Sequence, residues 1–238
     1  MKPNYSSQIQ ILRSQSLVSA VQQEIYTMLL QGQFEMGQKL SEAALASSLG
    51  VSRGPVREAF RALEEAGLVT ISKNRGVFVR EFTPKDVRDL YDIRMGLDEM
   101  TGRLLAPRIT NEQVAELEAM VQTMQQMLDR DDLTNYFPQN IEFHDRIVRM
   151  TGNDKLVGLY RRLTDEMHLM RRRSIAQGGG TLISNEEHRD IVAALATRDP
   201  ETAARAMRAH GAGGYRRLLL ATREFAEQPG RAASVAES

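Results

Sequence analysis

The four histidines of the 238-residue chain, His144, His168, His188 and His210, all lie in its C-terminal half. Asn140 precedes His144 by four residues, so on a helix the two share a face one turn apart. Three imidazoles from three helices of one bundle could converge on an interior point. Imidazole with an oxygen donor suits Zn, Ni, Cu or Fe, whereas carboxylate-rich sites suit Ca or Mg. The chain has no cysteine, which excludes disulfides and thiolate ligation. Spacing alone favours reading each histidine as an ordinary surface or core residue.

A second group is cationic and N-terminal. Ser52, Arg53, Gly54 and Arg57 occupy the first turn and a half of a helix, with Arg53 and Arg57 on one face. Arginine forks match guanine O6 and N7, and the amides and Ser52 hydroxyl of a helix start can hold a phosphate. Gly54 lets a backbone come close. Lys73, Asn74, Arg75 and Gly76 crown a hairpin turn, where a wing would meet phosphates or the minor groove. Two arginines alone would more often decorate a solvated helix face.

Hydrolytic or lyase chemistry at a metal is the alternative function, since a metal with open positions activates water. Its general base is hard to find. Glu142 lies two residues from both Asn140 and His144 and points away from their face. No nucleophile constellation or Gly-rich phosphate loop is visible.

The elements that must position these groups can be read from periodicity. After a polar, unpatterned arm over residues 1–14, apolar residues recur at helical spacing from Leu17 to Leu29. Ser41 starts a short helix carrying Ala44, Leu45 and Leu49. Ser52 starts the next, with Pro55 in its first turn and Val56, Phe60 and Leu63 as its apolar stripe. Leu68–Ile71 and Val77–Val79 read as strand, turn, strand. Helix, short helix, turn, helix and hairpin is the order of a winged helix-turn-helix.

Beyond Phe82 the pattern is wholly helical. Thr83-Pro84 opens a helix to about Pro107, and Thr110 to Gln113 forms a capping box for one ending near Asp131. Further helices run from about Thr134 to Gly152 and Asp154 to Ser174. After Gly178-Gly179-Gly180, a second capping box is expected at Ser184 to Glu187, and Asp199-Pro200 opens a last helix to about Ala226. The expected fold is mainly α: three helices plus a β-hairpin over residues 1–82, an all-α antiparallel bundle of about six helices over 83–227, and a disordered tail over 228–238. Arg171-Arg172-Arg173 reads as a solvated face or a helix C-terminal charge complement. Met120, Met124 and Met127 read as core filling.

The formal net charge is zero, with hydrophobic residues at 42% and charged residues at 26%, ordinary values for a globular protein. Residues 1–80 nevertheless carry nine Lys and Arg against six Glu, a net +3 that fits a nucleic-acid-facing head. No apolar run reaches the roughly 18 residues of a membrane span, and the N-terminus lacks a secretory layout, so the expected location is cytoplasmic.

Leu49-Gly50-Val51-Ser52-Arg53-Gly54-Pro55-Val56-Arg57-Glu58-Ala59, with Leu63 to Val69 and Arg75 to Val79, closely resembles the GntR family of bacterial regulators over residues 17–80. The resemblance implies DNA contacts at Ser52, Arg53, Arg57 and Lys73 to Gly76. Two positions depart from the family pattern: Ala43 stands where many relatives carry Arg, and Gly54 replaces the more usual Thr. Asn140-Ile141-Glu142-Phe143-His144, Glu187-His188-Arg189 and Met207 to His210 resemble the FCD-type ligand domain of the FadR-like branch, over about residues 84–226.

That second resemblance implies a divalent metal, foremost Zn or Ni, held by Asn140, His144, His188 and His210. Asn140 replaces the commoner Asp. It further implies a homodimer on a palindromic operator, and a small organic acid effector bound beside the metal. Arg94 matches a position that faces the effector cavity in this domain type; a surface ion pair with Asp92 or Asp98 is its plainer reading. His168 lies outside the ligand pattern and is read as structural. The function so implied is ligand-responsive transcriptional regulation, usually repression, and no enzyme activity.

Overall fold

A computed structural model describes residues 5–175 and 180–227, with side chains over 16–170 and 180–220. Two compact units form. One takes in the chain up to Thr83 together with Thr164–Arg172; the other takes in Pro84–Leu163 and the chain from Arg173 onward.

The first unit is built on α1 (Tyr5–Gln31), α2 (Glu42–Ser48) and α3 (Arg53–Glu65). Helix α1 begins at Tyr5, so most of the stretch read as an unpatterned arm is helical. Ser41 caps α2 by accepting a hydrogen bond from the Ala44 amide at 3.2 Å. Helix α2 buries Leu45 and Ala46, while Ala44 is exposed. Helix α3 buries Val56, Ala59, Phe60 and Leu63 against Val21, Ile25 and Leu29 of α1. Each of the larger of these side chains contributes about 1.5–3 kcal/mol when fully buried.

Strands β2 (Val69–Ser72) and β3 (Gly76–Val79) form the expected hairpin, with Val69 opposite Val79 and Ser72 opposite Gly76. A third strand, β1 (Lys39–Leu40), pairs antiparallel with β3 and gives the order β1-β3-β2. Two residues are too short for any alternation to show in a sequence. Residues Thr164–Arg172 join this unit because Asp165 accepts from the Tyr26 hydroxyl at 2.6 Å, Glu166 accepts from Arg80 at 2.6 Å, and Leu169 is buried in the same core. Gly67, at φ +74°, makes room for the Glu166 carboxyl: a Cβ there would lie 2.6 Å from it.

The second unit holds α4 (Pro84–Leu105), α5 (Asn111–Asp129), α6 (Leu133–Met150), the N-terminal half of α7 (Asp154–Ile175), α8 (Thr181–Ala196) and α9 (Pro200–Glu227), with a 3-10 turn at Ala106–Arg108. Thr110 and Gln113 complete the expected capping box. Asp132 caps α6 through the Asn135 amide. The capping box expected at Ser184 to Glu187 does not exist. Helix α8 already starts at Thr181, after Gly180 at φ +78°, and the Ser184 amide donates to the Gly180 carbonyl inside the helix. Glu187 is thereby released from capping duty.

Leu117, Val121, Met124, Phe143, Ile147, Ile191, Leu195 and Met207 form the core of this unit; Met120 and Met127 pack at its edge. Gly102 of α4 lies against the α9 backbone, where a Cβ would sit 2.7 Å from the Ala203 carbonyl carbon. The Arg171-Arg172-Arg173 side chains, Gly178-Gly179 and the tail over 228–238 lie outside the described residues. Among the described residues no helix is long and apolar enough to cross a membrane.

Candidate metal centre and nucleic-acid interface

Helix α6 carries Asn140 and His144 one turn apart, α8 carries His188, and α9 carries His210. One ligand atom from each of His144, His188 and His210 lies within 4.8 Å of the others. His144 and His210 are stacked, with ring centroids 4.9 Å apart, and His188 stands 4.8 Å from His210 and 5.1 Å from His144. Phe143 packs against His188 at 4.7 Å and closes the apolar side. The Asn140 amide reaches His188 Nε2 at 3.4 Å. The four residues of the proposed ligand set are thus adjacent, whereas His168 lies in the stretch of α7 that belongs to the first unit.

The donor set fits a divalent metal. His210 Nε2 faces His144 Nε2 at 3.2 Å. Two imidazole nitrogens bound at about 2.0–2.1 Å to one ion stand about 2.9–3.4 Å apart, from the octahedral to the tetrahedral angle. Burial, then the neighbouring His210, Arg217 and Arg94 charges, hold His188 well below its ordinary titration range. Burial also lowers His210, although its hydrogen bond to Glu187 pulls the other way. Neutral imidazoles are the form that binds metal. The buried His188 Nδ1 has no hydrogen-bond partner among the described residues.

Several residues around this cluster were not singled out in the sequence. Glu187 Oε2 lies 2.8 Å from His210 Nδ1, and Arg217 grips both Glu187 oxygens at 2.7 and 2.8 Å. Burial alone would raise the Glu187 carboxyl, but the bonds from His210 and Arg217 outweigh it and bring the group to about 2. Arg94 is 6% exposed and pairs with Asp98 through Nε, at 2.9 and 3.0 Å. The surface ion pair weighed for Arg94 is therefore a buried one. Asp98 also accepts from the Tyr160 hydroxyl at 2.8 Å, and the guanidinium lies 4.4 Å over the Tyr160 ring. The two terminal nitrogens of Arg94 make no hydrogen bond among the described residues. Asp98 was legible as a partner four residues on from Arg94; Glu187 was masked by its resemblance to a cap, and Arg217 carried no signal. Glu142 pairs with Arg149 on the surface, as its spacing from the ligand face implied.

In the first unit, Ser52 occupies the position before α3 and its side chain makes no capping bond. Ser52, Arg53 and Gly54 are exposed, and a Cβ at Gly54 would meet nothing within 4 Å. Arg57 is exposed but held: its Nε and Nη2 donate to the two Glu42 oxygens at 3.2 and 2.9 Å. Lys73, Asn74 and Arg75 are exposed at the hairpin tip, where Asn74 takes φ +62° and Gly76 φ +111°. Arg75 lies 5.8 Å over the Phe78 ring.

Residues 17–79 match the bacterial regulatory proteins of the gntR family, and residues 89–213 match the FCD domain. The chain is 31% identical over 198 residues to a probable D-xylose utilization operon transcriptional repressor of Paenarthrobacter nicotinovorans, covering 82% of this chain and 85% of that one. It is 28% identical over 188 residues to an uncharacterized HTH-type transcriptional regulator of Bacillus subtilis, covering 79% and 84%. A solved GntR regulator of Rhodococcus superposes with a TM-score of 0.70 at 27% identity, over 86% of this chain and 98% of that one. The chain belongs to the GntR family of transcriptional regulators, with an N-terminal GntR helix-turn-helix domain followed by an FCD domain. It is a DNA-binding regulator and not an enzyme.

Proposed function

We propose that the protein is a cytoplasmic, homodimeric repressor that binds a palindromic operator and responds to a small organic acid held at a divalent metal. The observation that carries the reading is the meeting of three imidazoles from three helices, with His144 and His210 Nε2 3.2 Å apart. Asn140, His144, His188 and His210 are the ligands, and Zn or Ni suits this nitrogen-rich, thiolate-free set. The metal supplies a Lewis-acid anchor for a carboxylate. Arg94, buried and with no hydrogen bond from its terminal nitrogens among the described residues, supplies a second, planar anchor for the same group. Repression is favoured by the names of relatives, among them a gluconate operon transcriptional repressor of Bacillus licheniformis.

Ser52, Arg53, Gly54 and Arg57 enter the major groove, and the tip from Lys73 to Gly76 meets the phosphates or minor groove. Two heads must match two half-sites at a fixed spacing, so a ligand that favours one placement of the heads changes DNA affinity. Selection from a random duplex pool on the metal-loaded protein should return an inverted repeat. A panel of carboxylic acids should then contain one that raises the melting temperature and alters binding to that duplex, with both effects lost on chelation. Selection of sites without symmetry, or an acid effect that survives metal removal, would overturn the reading.

A further inference from the structure

The geometry points to Glu187 and Arg217 as a positioning relay that fixes the ring orientation and tautomer of His210 for metal binding. The inference rests on the metal reading above and concerns two residues outside the ligand set. Glu187 Oε2 accepts from His210 Nδ1 at 2.8 Å, which commits the ring proton to Nδ1 and leaves Nε2 as a lone pair. That Nε2 is the atom facing His144 Nε2 at 3.2 Å. One proton must lie between these two nitrogens in the metal-free protein, and with His210 Nδ1 protonated it belongs to His144. For both Nε2 atoms to serve as metal ligands, the His144 proton would have to shift to its Nδ1, whereas His210 is already in its ligating tautomer.

Arg217 locks the carboxylate in turn. Its two terminal nitrogens hold one Glu187 oxygen each, at 2.7 and 2.8 Å, in the paired geometry that fixes direction as well as charge. Space for the relay is made by two glycines. A Cβ at Gly213 would lie 2.3 Å from Glu187 Oε1 and 3.1 Å from Arg217 Nη1, and one at Gly180 would lie 2.3 Å from Arg217 Cδ. The two glycines thus leave the room that the Glu187 carboxylate and Arg217 side chain occupy between α8 and α9. Carboxylates behind a ligating imidazole raise its basicity and hold its plane, and their loss weakens metal binding by about 10–100-fold.

The test uses the full-length protein, with Co2+ as the probe. Glu187→Gln removes the charge while keeping size, and Gly213→Ala pushes the carboxylate aside with no change of charge. Both should lower Co2+ affinity by about 10–100-fold and perturb the visible Co2+ spectrum. In metal-free wild type, 15N shifts of His210 should report the Nδ1-protonated tautomer, and Glu187→Gln should mix the tautomers. Wild-type Co2+ affinity and spectrum in both variants would overturn the relay while leaving the metal site standing. Absence of Co2+ binding by wild type would remove the metal reading, and the relay with it. A His210 ring protonated at Nε2 in the metal-free wild type overturns the relay even if both variants fail to fold.

Discussion

His144 and His210, sixty-six residues apart in sequence, present their Nε2 atoms to each other at 3.2 Å. Two ring nitrogens at that distance share either one proton or one ion, and a buried ion would bind α6 to α9. Removing the metal by chelation should therefore lower the melting temperature of the bundle. Saturation at about 100 times Kd is worth about 2.7 kcal/mol, and differential scanning calorimetry with and without chelator reads it. Identical melting in both conditions would speak against a resident metal. His144→Ala and His210→Ala should each diminish the chelator-sensitive part.

Arg94 and Asp98 form a buried ion pair one helical turn apart. Removing one partner leaves the other charged and desolvated, which costs about 3–5 kcal/mol. Arg94→Met should therefore unfold at markedly lower denaturant, and Arg94→Met/Asp98→Leu should recover part of the loss. A single variant as stable as wild type would show that the pair is not buried in solution.

Arg53→Ala and Arg57→Ala should each weaken binding to the selected duplex by about tenfold to hundredfold at fixed salt. Glu42→Ala should leave folding unchanged, because its pair with Arg57 is exposed. Fluorescence anisotropy at two salt concentrations measures this, and unaltered affinity in both arginine variants would remove them from the interface.

Tyr26 donates to Asp165 in the first unit, and burial first, then that bond and the Asp165 charge, push its hydroxyl above the ordinary value of 10. The folded state thus keeps a proton that the unfolded state releases above pH 10. The stabilisation is complete below that pH and is lost as pH rises through the folded value. Urea melts above pH 10 should show stability falling with pH, with a smaller slope in Tyr26→Phe. Equal slopes would contradict the assignment.

Gly102→Ala should destabilise the bundle by about 1–3 kcal/mol, because the added methyl meets the α9 backbone at Ala203, which has no rotamer to yield. Chemical denaturation checks it, and a neutral or stabilising result would imply that α4 and α9 stand further apart.

The helices and hairpin were legible because apolar period, caps and turn residues agreed; Val56, Phe60 and Leu63 all turn inward as their spacing requires. Strand β1 was not legible, since Lys39-Leu40 is strand only by virtue of β3 beside it. The α8 start was misplaced because Ser184 to Glu187 has the composition of a cap yet sits within a helix begun at Thr181. That same misreading hid Glu187. The shared face of Asn140 and His144 was legible by spacing, whereas His188 and His210 were tied to it only through the family resemblance. Their meeting point depends on helix packing, to which no local pattern in the chain corresponds.

The most direct measurement is X-ray absorption at the metal edge of full-length protein loaded with one equivalent of Zn2+ or Ni2+. Scattering from three imidazoles with the remaining positions filled by oxygen is expected, falling to two imidazoles in His210→Ala. A wild-type spectrum with one imidazole or none, or one unchanged by His210→Ala, would contradict it.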